Sequence, residues 1–416
     1  MRILIKNIKK LINVRAESPE KPLAGDELGQ LPVIDNGYLW IEDGLISAYG
    51  ESIPSNIAPL EMQADRVIDA TGKMVFPSYC DSHTHLVYAG SREIEFMDKI
   101  RGLSYQEIAR RGGGILNSVE LLHRTPEDQL LAQALVRAEE IISFGTGAVE
   151  IKSGYGLTLE DEIKMLRVAK RVEEQTPLTV KRTFLGAHAV PARYAGRREE
   201  YVDEIVREMI PAVAAEGLAV YVDIFCEGGF FTVEDSERVF EAGIKYGMRP
   251  KVHANQMSFS GGVQVGVKYN ARSVDHLEYT AEEEFKALKG SDTIATLLPG
   301  ATFFMEMDFA PARAMINYGI PVAIASNYNP GSCPCGDMKF MMALCCLKMK
   351  MFPEEVINAS TINGAFAMDV DGILGSITVG KKANVFITKE VPSYEFLPYS
   401  FSTPLVDTVI LNGKII

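Results

Sequence analysis

From about Leu103 to Met351 the chain alternates helix-period and β-rich segments almost without interruption, and this alternation limits its fold more than any other feature. The stretch TPEDQLLAQALVRAEEIISFG opens on Thr125-Pro126, keeps helical apolar spacing and stops at Gly145; the strand GAVEIKSG follows at once. The pairing then recurs. LEDEIKMLRVAKRVEEQ precedes LTVKRTFLGAH, REEYVDEIVREMIPAVAAEG precedes AVYVDIFCEGG, and TVEDSERVFEAGIKYG precedes RPKVHANQ. SGGVQVGVKYN precedes ARSVDHLEY, TAEEEFKALKGS precedes TIATLLPGA, and APARAMINYG precedes IPVAIASNYNP, before a last helix MKFMMALCCLKMK. Strands joined by helices of this length run parallel, because each helix returns the chain to the same end of the sheet. Counted from the strand that ends at His83–His85 there are eight or nine units, which predicts a closed (β/α)8 barrel rather than an open sheet. If one strand is surplus, AVYVDIFCEGG or VAIASNYNP is expected at the rim.

The two ends read differently from the middle. RILIKNIKKLINV, GYLWIEDGLISAYGE and RVIDATGKMVFPSY are rich in β-branched and aromatic residues, with no helix-period stretch expected between them. The tail returns to this texture in GSITVGKKANVFITKE and in LVDTVILNGKII, with its Asn-Gly turn. The expected architecture is therefore α/β: a TIM-like barrel over residues 76–368, inserted in a small β-sandwich domain made from residues 1–75 and 369–416.

A formal net charge of -13 argues against nucleic acid or an anionic membrane as partner, since both need clustered positive charge. The run Lys6-Asn7-Ile8-Lys9-Lys10 is too short to reverse this and reads as a solvated strand end. Six scattered cysteines make no disulfide framework, and no apolar run approaches the ~18 residues that span a bilayer. The expectation is a cytoplasmic protein acting on a small molecule.

Of six histidines, five fall at or just after the end of a predicted strand: His83, His85, His188, His253 and His276. Only His123 sits on a helix. A (β/α)8 barrel keeps its active site at the C-terminal ends of its strands, so this placement gathers five imidazoles at one mouth. His83 and His85, two apart on a strand, point to one face, an arrangement suited to Zn²⁺ or Fe²⁺. Other motifs carry less. Arg111-Gly112-Gly113-Gly114 lacks the Gly-Lys-Ser/Thr of a phosphate loop and reads as a loop near the site mouth. Cys333-Pro334-Cys335 reads as a loop with two free thiols, and the Met- and Cys-rich helix from Met338 as core packing. Lys152 on VEIKSG is open to two readings, a carbamylated ligand bridging two metals or part of a substrate loop.

The segments PSYCDSHTHLVYAGSR, SYQEIARRGGGI, VEIKSGYGLTLEDEIKML, FLGAHAVP, SVDHLEY, TLLPGA and NPGS resemble the imidazolonepropionase family of the amidohydrolase superfamily over nearly the full chain. The resemblance implies hydrolysis of the ring amide of 4-imidazolone-5-propanoate to N-formimidoyl-L-glutamate with one Zn or Fe ion per subunit, in a cytoplasmic homodimer. It implies that His83, His85 and His253 are metal ligands, with position 327 as the fourth. It further implies that Arg92 pairs with the substrate propionate, that Tyr155 and His188 contact the ring, and that His276 is a catalytic group beside the attacked carbonyl. Asn329, Gly331 and Ser332 match the loop that holds the amino-acid end of the substrate.

Two positions depart from the family pattern. His-Ala-Asp-Glu is expected where the chain has His253-Ala254-Asn255-Gln256, and Ser-Asp or Thr-Asp where it has Ser326-Asn327. Asn327 and Gln256 thus stand where a metal-binding and proton-accepting carboxylate and a second catalytic acid are expected. An amide offers a neutral oxygen and takes up no proton at useful pH. Three readings stay open on sequence: a working enzyme that tolerates Asn327, the same scaffold impaired by it, or a relative that hydrolyses another cyclic amide or amidine or only binds a ligand.

Overall fold

The computed structural model describes residues 1–103 and 114–416. Arg111-Gly112-Gly113 lies outside the described residues. The N-terminal strands are β1 (Arg2–Ile12), β2 (Val33–Glu42), β3 (Leu45–Glu51), β4 (Arg66–Asp69) and β5 (Met74–Pro77). A helix, Pro54–Glu61, interrupts them, contrary to the expectation of strands alone; it starts on Pro54, whose fixed φ suits a first helical turn. Next come β6 (Tyr79–Thr84), β7 (Thr146–Lys152), β8 (Thr179–Ala187), β9 (Tyr221–Cys226), the short β10 (Arg249–Pro250) and β11 (Val252–Ala254). Then follow β12 (Ser273–His276), β13 (Ile294–Leu297), β14 (Val322–Ile324), β15 (Val385–Thr388), β16 (Val406–Leu411) and β17 (Lys414–Ile415).

Both ends of the chain share one sheet, in the order β17-β16-β15-β5-β1-β2-β3, with β4 on the free stretch of β1. Ile3, Ile5, Leu39, Ile41, Val385 and Ile410 fill a core belonging to this sheet alone. The second sheet is parallel in the order β6-β7-β8-β9-β11-β12-β13-β14. Its closure comes just past β14, where Asn327 N–H donates to the His83 carbonyl at 2.9 Å and His85 N–H to the Tyr328 carbonyl at 3.0 Å. Eight strands therefore make the barrel. β9 and β14 are both members of it, so neither AVYVDIFCEGG nor VAIASNYNP is a rim strand. TIATLLPGA is strand only to Leu297; Pro299 starts a helix, Pro299–Phe304, that sequence reading folded into the strand.

Strand period explains what the barrel holds. On β7, Val149 and Ile151 join the large core shared with the helices, so Glu150 and Lys152 face the opposite way, into the barrel. All four are buried, as expected for a parallel strand covered on both sides. Cys333 and Cys335 are free thiols, and the helix Met338–Met349 buries Met338, Met341, Met342 and Cys345 in the core. Among the described residues no helix is long and apolar enough to cross a membrane.

Candidate active site

All five strand-end histidines sit at one end of the barrel. His83 and His85 close β6, His188 follows β8, His253 lies on β11 and His276 ends β12. The ring centroids of His83 and His253 are 4.4 Å apart, and His188 stacks on His85 at 4.9 Å with only 8° between planes. His83, His85 and His253 each bring one ring nitrogen to within 4.8 Å of the other two. Nε2 of His83 is sealed from solvent with no hydrogen-bond partner. An orphan of that kind costs about 1–3 kcal/mol. Three convergent neutral nitrogens, one of them otherwise unsatisfied, fit a divalent metal ion. Burial first, then neighbouring positive charge, holds the His83 and His85 imidazoles well below the usual histidine range, so both are neutral donors.

Carboxylates fix the two inward rings from below. Nδ1 of His83 lies 2.6 Å from Asp275 Oδ2, and Nδ1 of His253 lies 3.1 Å from Asp223 Oδ2. Lys152 Nζ donates to Asp223 at 2.7 Å and to Glu150 at 2.6 Å, and lies 3.5 Å from Asp275. Lys251 pairs with the other Glu150 oxygen. Burial pulls the Lys152 ammonium down, but Asp223, Glu150 and Asp275 outweigh it and its pKa lies above the ordinary lysine value. A protonated amine does not form a carbamate, so Lys152, ringed by three buried carboxylates at the end of β7, is a structural cation beneath the site and not a bridging ligand; of the residues that follow it, Tyr155 lines the cavity.

Above the imidazoles lies a cavity of about 460 Å³. Its wall includes every other site residue expected from sequence: Arg92, Tyr155, His188, Gln256, His276, Asn327, Asn329, Gly331 and Ser332. His188 donates its Nδ1–H to the Gly154 carbonyl at 3.0 Å, and burial pushes its pKa down to about 3. A side chain at Gly154 would collide with this ring, its Cβ 2.7 Å from Nδ1. Asn255, the neighbour of Gln256, is structural: its amide donates to the Tyr279 carbonyl at 2.8 Å and its oxygen accepts from Ser260. Asn327 takes φ +55°, a left-handed conformation that Asn and Asp tolerate.

The loop after β14 is shaped by Asn329. Its Oδ1 accepts from the amides of Gly331 and Ser332, both at 2.8 Å, while Nδ2 donates to the Asn327 carbonyl and the Ser332 hydroxyl. That side chain has no capacity left for a ligand. Gly331, held by one of these bonds, lies against Arg92, where a Cβ would come within 2.0 Å of NH1. Arg92 is already engaged: Nε and NH2 both donate to Glu95, at 2.8 and 2.6 Å.

Sequence reading passed over Glu95, Glu150, Asp223, Lys251 and Asp275. For Glu150, Asp223 and Asp275 the available signal was a charged residue within strands that otherwise read as buried, as in VEIK, YVDIF and SVDH; Glu95, on the helix Glu93–Ile100, gave none of this kind. Phe225 and Phe230, also on the cavity wall, gave no such signal.

Comparison with known proteins places this geometry. The amidohydrolase family model matches residues 74–416. Imidazolonepropionase of Flavobacterium johnsoniae is 51% identical over the whole of both chains. Imidazolonepropionase of Alkaliphilus metalliredigens is 40% identical over all of this chain and 97% of its own. Among solved structures, a triazine hydrolase variant superposes with TM-score 0.73 at 15% identity, over 100% of this chain and 94% of its own. A zinc complex of atrazine chlorohydrolase from Arthrobacter aurescens gives 0.68 at 14%, over 99% and 94%. At such identities these two speak for the fold.

Proposed function

The chain belongs to the amidohydrolase family, among the imidazolonepropionases, and from that footing we infer that it hydrolyses the ring amide of 4-imidazolone-5-propanoate to N-formimidoyl-L-glutamate in histidine degradation. One observation carries the reading: a single cavity has on its wall the Arg92 guanidinium together with His85 and His253, two of the three convergent imidazoles. The imidazoles suit attack on a carbonyl, the guanidinium an anionic tail.

The centre takes a divalent metal. We propose zinc or iron, one ion per subunit, held by His83, His85 and His253 with the side-chain amide oxygen of Asn327 as a weak fourth donor. Bound there, the ion supplies Lewis acidity toward the ring carbonyl and the attacking water. The protein supplies the rest. Arg92, with Nε and NH2 committed to Glu95, offers NH1 to the propionate carboxylate. Tyr155 and His188 flank the ring. Water adds to the carbonyl carbon, the ring C–N bond breaks, and the proton shed by water ends on the departing nitrogen. Neither Asn327 nor Gln256 can carry that proton. His276, on the cavity wall, is the group we assign to it, and Gln256 is left to hydrogen-bond the reacting groups.

We further propose a cytoplasmic homodimer, tested by light scattering for twice the 45.8 kDa chain mass. Turnover of 4-imidazolone-5-propanoate by the metal-supplied protein tests the function. Turnover of some other cyclic amide, with none of this substrate, would overturn it.

A further inference from the structure

Glu278 stands behind His276, just past the end of β12. Its side chain is 2% exposed and that of His276 3%. Thr302, on the helix Pro299–Phe304, donates its hydroxyl to Glu278 Oε1 at 2.6 Å and anchors the carboxylate. The second oxygen, Oε2, is sealed from solvent with no hydrogen-bond partner, and so is Nδ1 of His276. These two unpartnered atoms are 3.8 Å apart. That is longer than a hydrogen bond and within a small side-chain rotation of one. Each orphan is costly alone, and one proton on Nδ1 satisfies both.

The backbone is bent toward the same end. His276 and Leu277 have φ of +88° and +71°, a region that residues other than Gly, Asn, Asp and His rarely adopt, so the strain is clearest at Leu277. Strain of this kind persists only where surrounding structure enforces it, and here it aims one imidazole. Among the described residues, the rings packed against it are the imidazoles of His83, centroid 5.7 Å away, and His253, at 5.4 Å. Neither offers an anion, and among the described residues Glu278 is the carboxylate that pairs with Nδ1.

We propose that Glu278 is the positioning residue of His276. Its carboxylate accepts from Nδ1–H, fixes that tautomer and leaves the Nε2 lone pair for the cavity. The role rests on the hydrolase reading above and deepens it, since it gives His276 an anionic partner on a site wall where positions 256 and 327 carry amides. Histidines oriented in this way are common where an imidazole must accept a proton from one fixed direction.

Two measurements test it, and the first needs no substrate. Long-range ring ¹H–¹⁵N correlations on the zinc-supplied, ¹⁵N-histidine-labelled protein report the tautomer of each of the six histidines, with His276 assigned by loss of its signals in His276→Asn. The expected result is Nδ1–H at His276, lost or mixed in Glu278→Leu. Nε2–H in the unaltered chain, or a tautomer ratio unchanged by Glu278→Leu, would overturn the proposal even if turnover were normal. The second is kinetic and uses Glu278→Gln, which keeps the shape and a partner for Thr302. Its kcat should fall about tenfold with KM within twofold, at unchanged metal content. A rise in KM alone, or no change in either constant, counts against it. A chain that turns over no 4-imidazolone-5-propanoate would refute the function while the tautomer still decides the role of Glu278.

Discussion

Nδ1 of His83 lies 2.6 Å from Oδ2 of Asp275, and both side chains are wholly buried. The carboxylate accepts, so Nδ1 carries the hydrogen and Nε2 is left as a bare donor among the three imidazoles. Asp275→Asn removes that certainty, because an amide can turn its NH₂ to the ring and favour the opposite tautomer. Metal affinity should fall about 10- to 100-fold, read by competition with a chromophoric chelator. Affinity within a factor of two of the unaltered protein would show that the ring is held by packing alone.

Lys152 is the keystone cation of the same assembly. It is fully buried and contacts Glu150, Asp223 and Asp275. Removing one member of a buried ionic network leaves its partners uncompensated, at a cost of about 3–5 kcal/mol. Lys152→Met should lose stability of that order in urea unfolding. A loss under 1 kcal/mol would mean that Lys251, which also pairs with Glu150, carries the compensation by itself.

Much of this site could be read before any coordinates. Histidines at strand ends announce a barrel mouth whatever the neighbouring helices do, because strand direction fixes which end they share. The buried ionic layer was harder. Asp223 and Asp275 become partners of His253 and His83 only through sheet register, such as Ala254 opposite His276 and His253 opposite both Asp275 and Phe225. No local pattern encodes such pairings, which for His83 and Asp275 join residues 192 positions apart. The misplaced rim strand has a similar cause: a count of eight or nine strands leaves one surplus, and only pairing between neighbours shows that β9 and β14 are barrel members. The helix at Pro54 was missed because Ser, Asn and two prolines outweigh its weak apolar period.

Asn327 should accept a carboxylate without strain. Its φ of +55° suits Asp as well as Asn, and its backbone bonds to His83 and Asn329 do not involve the side-chain terminus. Asn327→Asp adds an anionic ligand and a proton acceptor together. Turnover of 4-imidazolone-5-propanoate should rise at least about tenfold, since a positioned base is commonly worth ~10²–10⁴. Metal content should be measured on both proteins. Equal activity in the two would mean that His276 already carries the proton unaided.

Gly331 is where Arg92 can be tested without deleting it. A Cβ on Gly331 would sit 2.0 Å from Arg92 NH1, too close to coexist, and the guanidinium would have to move. No left-handed φ is involved, so the effect is steric displacement alone. Gly331→Ala should raise KM for the propionate substrate about tenfold or more with kcat little changed, the pattern expected when a ground-state contact is lost. Arg92→Ala should do the same more strongly. An unchanged KM in both would remove Arg92 from substrate binding.

Lys381 provides a pH signature remote from the site. Its ammonium is buried, donating to the Leu374 carbonyl at 2.8 Å and Ser376 Oγ at 2.9 Å, and burial pushes its pKa down to about 8 from an ordinary 10.5. Below pH 8 both folded and unfolded chains hold the proton, and the full desolvation cost is present in the fold. Between about 8 and 10.5 the unfolded chain keeps a proton that the folded chain has released, so stability rises with pH across that window. Other titrations cancel in the difference between the unaltered protein and Lys381→Met, which lacks this group. The unaltered protein should therefore gain on the variant by up to about 2–3 kcal/mol from pH 7.5 to 10.5, read by urea unfolding at each pH. A difference that stays flat would show that the two hydrogen bonds hold the ammonium charged in spite of its burial.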